Sequence, residues 1–353
     1  MRMTLALILL GLAAALPGVE AITLDHGGMT RSYQLHRPTN LTPGVPVPLV
    51  LALHPSFSCS ERFRSTATDY SWETKADSAG FVVAYPNGTQ AGTATWPAQT
   101  TLSWNSYTFD GSGVDDLGYL RAVIDDVAAR WAIDHDRIYI TGFSNGAMMA
   151  NTFAIVHSRL VAAVGPVSGG WITAYKGDAV AAGTFPAAPV PVWIWRGSAE
   201  DDIVTGSTAY KRTRAIQDQE QLDWWIDRNG TSTTPVISTG SAGVRTFTTA
   251  TYSGGREGVE VRSTTVTGTS HMWQPGATDH LWDFFATWRS SDRVRRSIRL
   301  QAVDDQAQPL GVEAVCEPAA PEVEALPGGA AFDGLDPRHA AQITFVPAPL
   351  GDG

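Results

Sequence analysis

The chain has 353 residues, 43% hydrophobic and 17% charged, with a formal net charge of −10. That apolar fraction excludes a disordered chain, and two cysteines cannot staple a disulfide-rich mini-scaffold. An acidic chain with no Lys/Arg run argues against nucleic acid or an anionic membrane surface as partner.

Residues 1–21, MRMTLALILLGLAAALPGVEA, carry Arg2, an apolar stretch from Leu5 to Ala15, and small residues Val19 and Ala21 spaced for a cleavage site. This is the pattern of a secretory signal peptide. The apolar run is shorter than the roughly 20 residues that span a bilayer. The expectation is a secreted, extracellular or periplasmic chain, off the membrane once the leader is removed, and monomeric. Export permits a disulfide, and Cys59 with Cys316 is the one candidate pair.

Strand and helix patterns then alternate. Arg31–His36, Pro48–His54 and Phe81–Tyr85 read as strands, the last ended by the turn Pro86-Asn87-Gly88. Leu117, Leu120, Ile124, Val127 and Trp131 recur at helical spacing, so Asp116–Trp131 is a predicted helix with Asp115 as N-cap. Arg137–Gly142 is a strand feeding a helix at Asn145–Val156. Leu160–Val167 and Val190–Trp195 are apolar strands, and Ala209–Asp227 is helical. Phe247–Tyr252 and Val259–Val266 suggest an antiparallel pair, and Thr278–Trp288 is a last helix. Apolar strands alternating with helices predict an α/β domain, a mostly parallel sheet with helices on both faces. The expected organisation is a leader (1–21), an α/β domain (22–291), and an acidic tail or small β appendage (292–353) with ten acidic and five basic side chains.

Gly142-Phe143-Ser144-Asn145-Gly146 matches G-x-S-x-G between a predicted strand and a predicted helix. That context makes a nucleophile elbow. The sharp turn lifts the Ser144 hydroxyl above the sheet and aims the helix N-terminus at a developing oxyanion. Serine needs a base, and in this chain order the acid and the histidine follow it. His157 ends the nucleophile helix, His280 sits inside the last helix and His339 lies in the tail. His271 lies in a loop after the last strand, where it can reach Ser144. The acid is sought after strand Val190–Trp195, in a loop with Glu200, Asp201 and Asp202; Asp201 is the first choice, Asp202 the second and Glu200 the third.

In order along the chain stand Arg31-Ser32-Tyr33, Pro48-Leu49-Val50, Leu53-His54, Tyr85-Pro86-Asn87-Gly88, Trp104-Asn105 and Val114-Asp115-Asp116-Leu117-Gly118-Tyr119-Leu120. They continue with Gly142–Met148, Asp201-Asp202-Ile203-Val204 and His271-Met272-Trp273. From about Gly27 to Trp288 the chain resembles the secreted polyhydroxybutyrate depolymerase and feruloyl esterase family of α/β-hydrolases. The resemblance implies the α/β-hydrolase fold, and Ser144 as nucleophile, Asp201 as acid and His271 as base. The activity it implies is hydrolysis of feruloyl or acetyl esters of plant polysaccharide, or of a polyester such as polyhydroxybutyrate. No cofactor and no metal is expected. Alternatives are an acyltransferase with the same triad and a non-catalytic carbohydrate- or surface-binding protein.

Three departures from the family pattern stand out. Pro55 replaces the glycine after His54 and cannot donate, so the oxyanion donors are expected to be the amides of Asn145 and of Ser56 or Phe57. Arg196-Gly197 replaces His-Gly before the acid, with one extra residue in the loop. Ser270 precedes His271, and Gln274 separates Trp273 from Pro275. Trp104, Asn105, Met272 and Trp273 are candidate substrate contacts. Trp96, on another loop, is a further possible stacking face.

Overall fold

A computed structural model describes residues 18–65, 70–90, 102–106, 114–169, 188–200 and 214–292. The framework is a ten-stranded sheet. Its strands are β1 (Gly18–His26), β2 (Met29–Arg37), β3 (Val47–Leu53), β4 (Val82–Pro86), β7 (Ile133–Phe143), β8 (Ala163–Val167), β9 (Val192–Gly197), β10 (Val236–Ala242), β11 (Arg245–Tyr252) and β12 (Val261–Val266). A two-stranded ribbon, β5 (Thr89–Gln90) with β6 (Leu102–Ser103), stands apart. The order in the large sheet is β1-β2-β4-β3-β7-β8-β9-β12-β11-β10. Its six central strands, β4 to β12 in that order, are parallel, and antiparallel pairs close both edges.

Strand β3 shows why the sheet is covered on both faces. Leu49, Leu51 and Leu53 face one core cluster, and Val50 and Ala52 face the other. Successive side chains of a strand point to opposite faces, so an unbroken apolar run needs two partners. On the first face pack α3 (Asp116–Arg130), α4 (Asn145–Val156) and α5 (Arg214–Asn229), through Tyr119, Ile124, Phe153 and Trp225. The second face carries α1 (Ser60–Ser65), α2 (Trp72–Ala79) and α6 (Ala277–Phe285), through Phe63, Trp72, Leu281 and Phe285. The predicted cap of α3 is present, with Gly118 N–H donating to Asp115 Oδ1 at 2.8 Å.

The Arg31 guanidinium reaches Asp116 Oδ1 at 2.6 Å with both side chains almost wholly buried, and it lies 3.8 Å from the centre of the Tyr119 ring. Burial raises the Asp116 carboxyl above its usual range, against the opposing pull of Arg31. The second Asp116 oxygen accepts the Asn105 amide at 2.7 Å, so the pair fixes the 102–106 strip beside the sheet.

Several elements differ from expectation. Strand β1 starts at Gly18, inside the expected leader. Gly18, Val19, Glu20 and Ala21 pair with Arg37, His36, Leu35 and Gln34. The small-residue cleavage pattern is local and carries no information about cross-strand pairing. Strand β10, the partner of β11, was not expected, because Val236–Ala242 is mostly exposed and lacks an apolar alternation. Residues 1–17 and 293–353 lie outside the described residues, and with them most of the expected leader and the expected tail.

Candidate active site

The elbow forms at the carboxyl end of β7. Ser144 has φ 55° and ψ −117°, a backbone region costly for a residue with a side chain, and α4 starts at the next residue. Its amide donates to Val167 O at 3.0 Å, which holds the turn against β8. A Cβ at Gly142 would come within 2.4 Å of Gly146 O, and one at Gly146 within 2.3 Å of Leu53 O. The two glycines are therefore demanded by close backbone approach.

Ser144 Oγ lies 2.9 Å from His271 Nε2. His271 Nδ1 faces Glu200 Oε2 at 3.3 Å, and the Glu200 side chain is fully buried while His271 is partly exposed. Among the described residues the carboxylate brought to the imidazole is Glu200, the third choice from sequence. Asp201 and Asp202 lie outside the described residues. Glu200 sits three residues past Gly197, where β9 ends, and turns back so that its Oε1 accepts the Gly197 amide at 2.5 Å. That turn points its second oxygen at the histidine loop. Of the other histidines, His157 packs on Phe153 and His280 stacks on Trp195.

Asn145 and Ser56, the expected oxyanion donors, have different settings. The Asn145 amide opens α4, where the first N–H groups have no acceptor in their own helix. Its side chain binds the 102–106 strip, accepting from Trp104 N at 2.6 Å and donating to Ser106 Oγ at 2.9 Å. In the loop after β3 the Phe57 amide is already bonded to Leu102 O at 2.8 Å, which leaves Ser56 as the loop's candidate. Phe57 has φ 61° and is 54% exposed.

The supports of this loop were not recognised from sequence. His54 is fully buried. It donates from Nδ1 to Pro55 O at 2.8 Å, and its Nε2 accepts the Gly88 amide at 2.9 Å. Asn87 Oδ1 accepts the Ser60 amide at 2.6 Å. The Tyr-Pro-Asn-Gly turn therefore braces the loop that carries Ser56. Burial pushes the His54 imidazole down to about 4, from an ordinary 6.5. Below 6.5 the unfolded chain takes up a proton that the folded chain refuses until about 4. The contribution of His54 to stability is therefore complete above 6.5 and is lost as pH falls toward 4, about 3 kcal/mol in all. Thermal unfolding followed from pH 7 to pH 4.5 is expected to fall more steeply for the wild type than for His54→Asn, and parallel curves would refute this.

The expected aromatic platforms are supports. Trp104 is 3% exposed, donates from its indole N–H to His54 O at 2.9 Å and lies against the His54 ring at 5.1 Å. Trp273 is 2% exposed, donates to Thr278 Oγ1 at 3.0 Å and packs edge-on against Tyr70 at 5.2 Å. Neither presents a face to a ligand, since both rings are occupied by the core behind the site. Asn105 likewise acts inward, donating to Val114 O at 2.8 Å. Met272, like Asn105, stays partly exposed. It lines a pocket of about 390 Å³ with Ser71, Ala242, Pro275 and Asp279. Trp96 lies outside the described residues. So does Cys316, and therefore any pairing with the half-buried Cys59. Among the described residues no cluster of three or more His, Cys, Asp or Glu side chains could hold a metal ion.

A strained serine bonded to a histidine, itself facing a buried carboxylate, is an arrangement suited to nucleophilic acyl transfer. Comparison with known proteins points the same way. Residues 31–203 match the family model described as Esterase PHB depolymerase. The chain is 26% identical over 270 residues to the bifunctional acetylxylan esterase/xylanase XynS20E of Neocallimastix patriciarum, covering 76% of this chain and 35% of that one. It is 26% identical over 161 residues to poly(3-hydroxyalkanoate) depolymerase C of Paucimonas lemoignei, covering 45% and 37%. The solved acetyl xylan esterase from Aspergillus awamori superposes with a TM-score of 0.53 at 18% identity, over 76% of this chain and 99% of that one. The architecture is the α/β-hydrolase fold. The chain spans less than half the length of these two curated relatives.

Proposed function

Residues 31–203 match the model of the Esterase PHB depolymerase family, and on that premise we propose that this protein is a secreted serine hydrolase of carboxylic esters. The reading rests above all on the 2.9 Å contact between Ser144 Oγ and His271 Nε2 at a strained elbow. Ser144 attacks the ester carbonyl while His271 Nε2 takes the hydroxyl proton. Glu200 accepts the His271 Nδ1–H, fixes the tautomer and stabilises the imidazolium. The amides of Asn145 and Ser56 hold the oxyanion, each lowering the barrier by about 3 kcal/mol. His271 then protonates the departing alkoxide, and water releases the acyl group by the same steps.

Among ester classes, acetyl and feruloyl esters of plant polysaccharide come first and polyhydroxyalkanoate second. Similarity over 270 residues to a protein named as an acetylxylan esterase supports that order. A fluorophosphonate probe is expected to label Ser144 stoichiometrically, as read by mass spectrometry of the labelled peptide. The labelled enzyme should lose hydrolysis of acetylated xylan, methyl ferulate and polyhydroxybutyrate film together. Labelling elsewhere, or activity that survives full labelling, would exclude this assignment.

A further inference from the structure

The acid Glu200 and Gln274, the residue that separates Trp273 from Pro275, meet in the fold. Gln274 is fully buried, and its Nε2 lies 3.0 Å from Glu200 Oε1. The same nitrogen is 3.0 Å from Ser168 Oγ, 3.1 Å from Ser270 O and 3.0 Å from Met272 O, the two carbonyls that flank His271 in sequence. Its two hydrogens are shared among acceptors of both loops. Thr269 Oγ1 donates to Gln274 Oε1 at 2.5 Å, which fixes the amide with its nitrogen toward the acid.

We propose that Gln274 is a positioning residue that holds the Glu200 carboxylate in the orientation that turns one oxygen to His271, so that the acid loop and the histidine loop work as a matched pair. This rests on the serine-hydrolase reading above. A glutamate has one more rotatable bond than an aspartate and needs more to hold it in one pose. Here Oε1 takes the Gly197 amide at 2.5 Å, Ser168 Oγ at 2.6 Å and Gln274 Nε2 at 3.0 Å. Those three donors converge on Oε1 and leave Oε2 turned to the imidazole at 3.3 Å. Ser168 is itself held at φ 51° by the hydrogen bond its N–H donates to Trp195 O. Strain at Ser144 and Ser168 thus brackets the same few atoms.

The test uses the full chain and p-nitrophenyl acetate. In Gln274→Ala, kcat is expected to fall about tenfold to a hundredfold with KM within about twofold, because the geometry is loosened while the binding surface is intact. The downfield proton resonance of His271 Nδ1–H should move or broaden. Gln274→Glu keeps the size but sets a carboxylate against Glu200 Oε1, so its loss should be at least as deep as that of alanine. A role limited to filling space would instead be rescued by the near-isosteric glutamate. Circular dichroism checks the fold; if neither variant folds, Ser168→Ala, which removes a second donor to Oε1, should lower kcat several-fold and move the same resonance. Wild-type kcat with an unmoved resonance in whichever of these variants folds, or full rescue by Gln274→Glu, would overturn the proposal. Failure of the probe to label Ser144 in the wild type would instead overturn the reading beneath it.

Discussion

Ser144→Ala is expected to lower kcat for p-nitrophenyl acetate by about 10⁵ to 10⁶, the loss seen when a serine hydrolase is deprived of its nucleophile. Transition-state stabilisation by the Asn145 and Ser56 amides would remain, but without a hydroxyl within 2.9 Å of His271 Nε2 there is nothing for the base to activate. The fold should be unharmed. Alanine inherits the φ of 55° that serine already endures, and the hydroxyl removed bonds an imidazole that is itself partly exposed. Thermal unfolding should show a stability equal to the wild type or slightly above it, since strained active sites trade stability for function. More than about 1% of wild-type kcat in a purified, folded variant would exclude Ser144 as nucleophile, a margin far above what solvent hydrolysis or residual oxyanion stabilisation supplies.

The parts of this site that could be read in the sequence are those fixed by neighbours in the chain. The elbow is one, because G-x-S-x-G between an apolar strand and an apolar helix specifies the turn, and each glycine answers to a backbone oxygen. His271 is another, by elimination among helices and loops. The carboxylate that faces His271 was less legible. Glu200, Asp201 and Asp202 stand side by side, and the choice among them depends on how the chain turns after Gly197, which spacing does not encode. Gln274 showed only as a misfit to a family pattern, and its meaning appeared once the two loops were brought together. The tryptophans mislead for a related reason. Trp104 and Trp273 stand beside site motifs in sequence, but their rings point back into the core and brace the loops. Strand β1 was hidden because its first residues satisfy a cleavage-site pattern as well as a sheet register.

Glu200→Gln is expected to lower kcat by about 10³ to 10⁴, and the hydrogen bonds say why. Gly197 N, Ser168 Oγ and Gln274 Nε2 all aim at Oε1, so a glutamine at this position must turn its carbonyl oxygen toward them. Its NH₂ then occupies the place of Oε2 and donates to His271 Nδ1. Imidazole that accepts at Nδ1 carries its proton on Nε2, and that nitrogen can no longer take the proton of Ser144. The variant should fold normally, bind substrate with unchanged KM and react slowly with a fluorophosphonate. Glu200→Asp, one methylene shorter, keeps the charge but cannot hold the Gly197 amide and His271 together, so an intermediate loss of about tenfold to a hundredfold is expected. Asp201→Asn is the decisive control: its kcat should stay within about threefold of wild type. If Asp201→Asn is the crippled variant and Glu200→Gln is not, the acid belongs one residue later, and the buried carboxylate beside Gln274 is a structural strut.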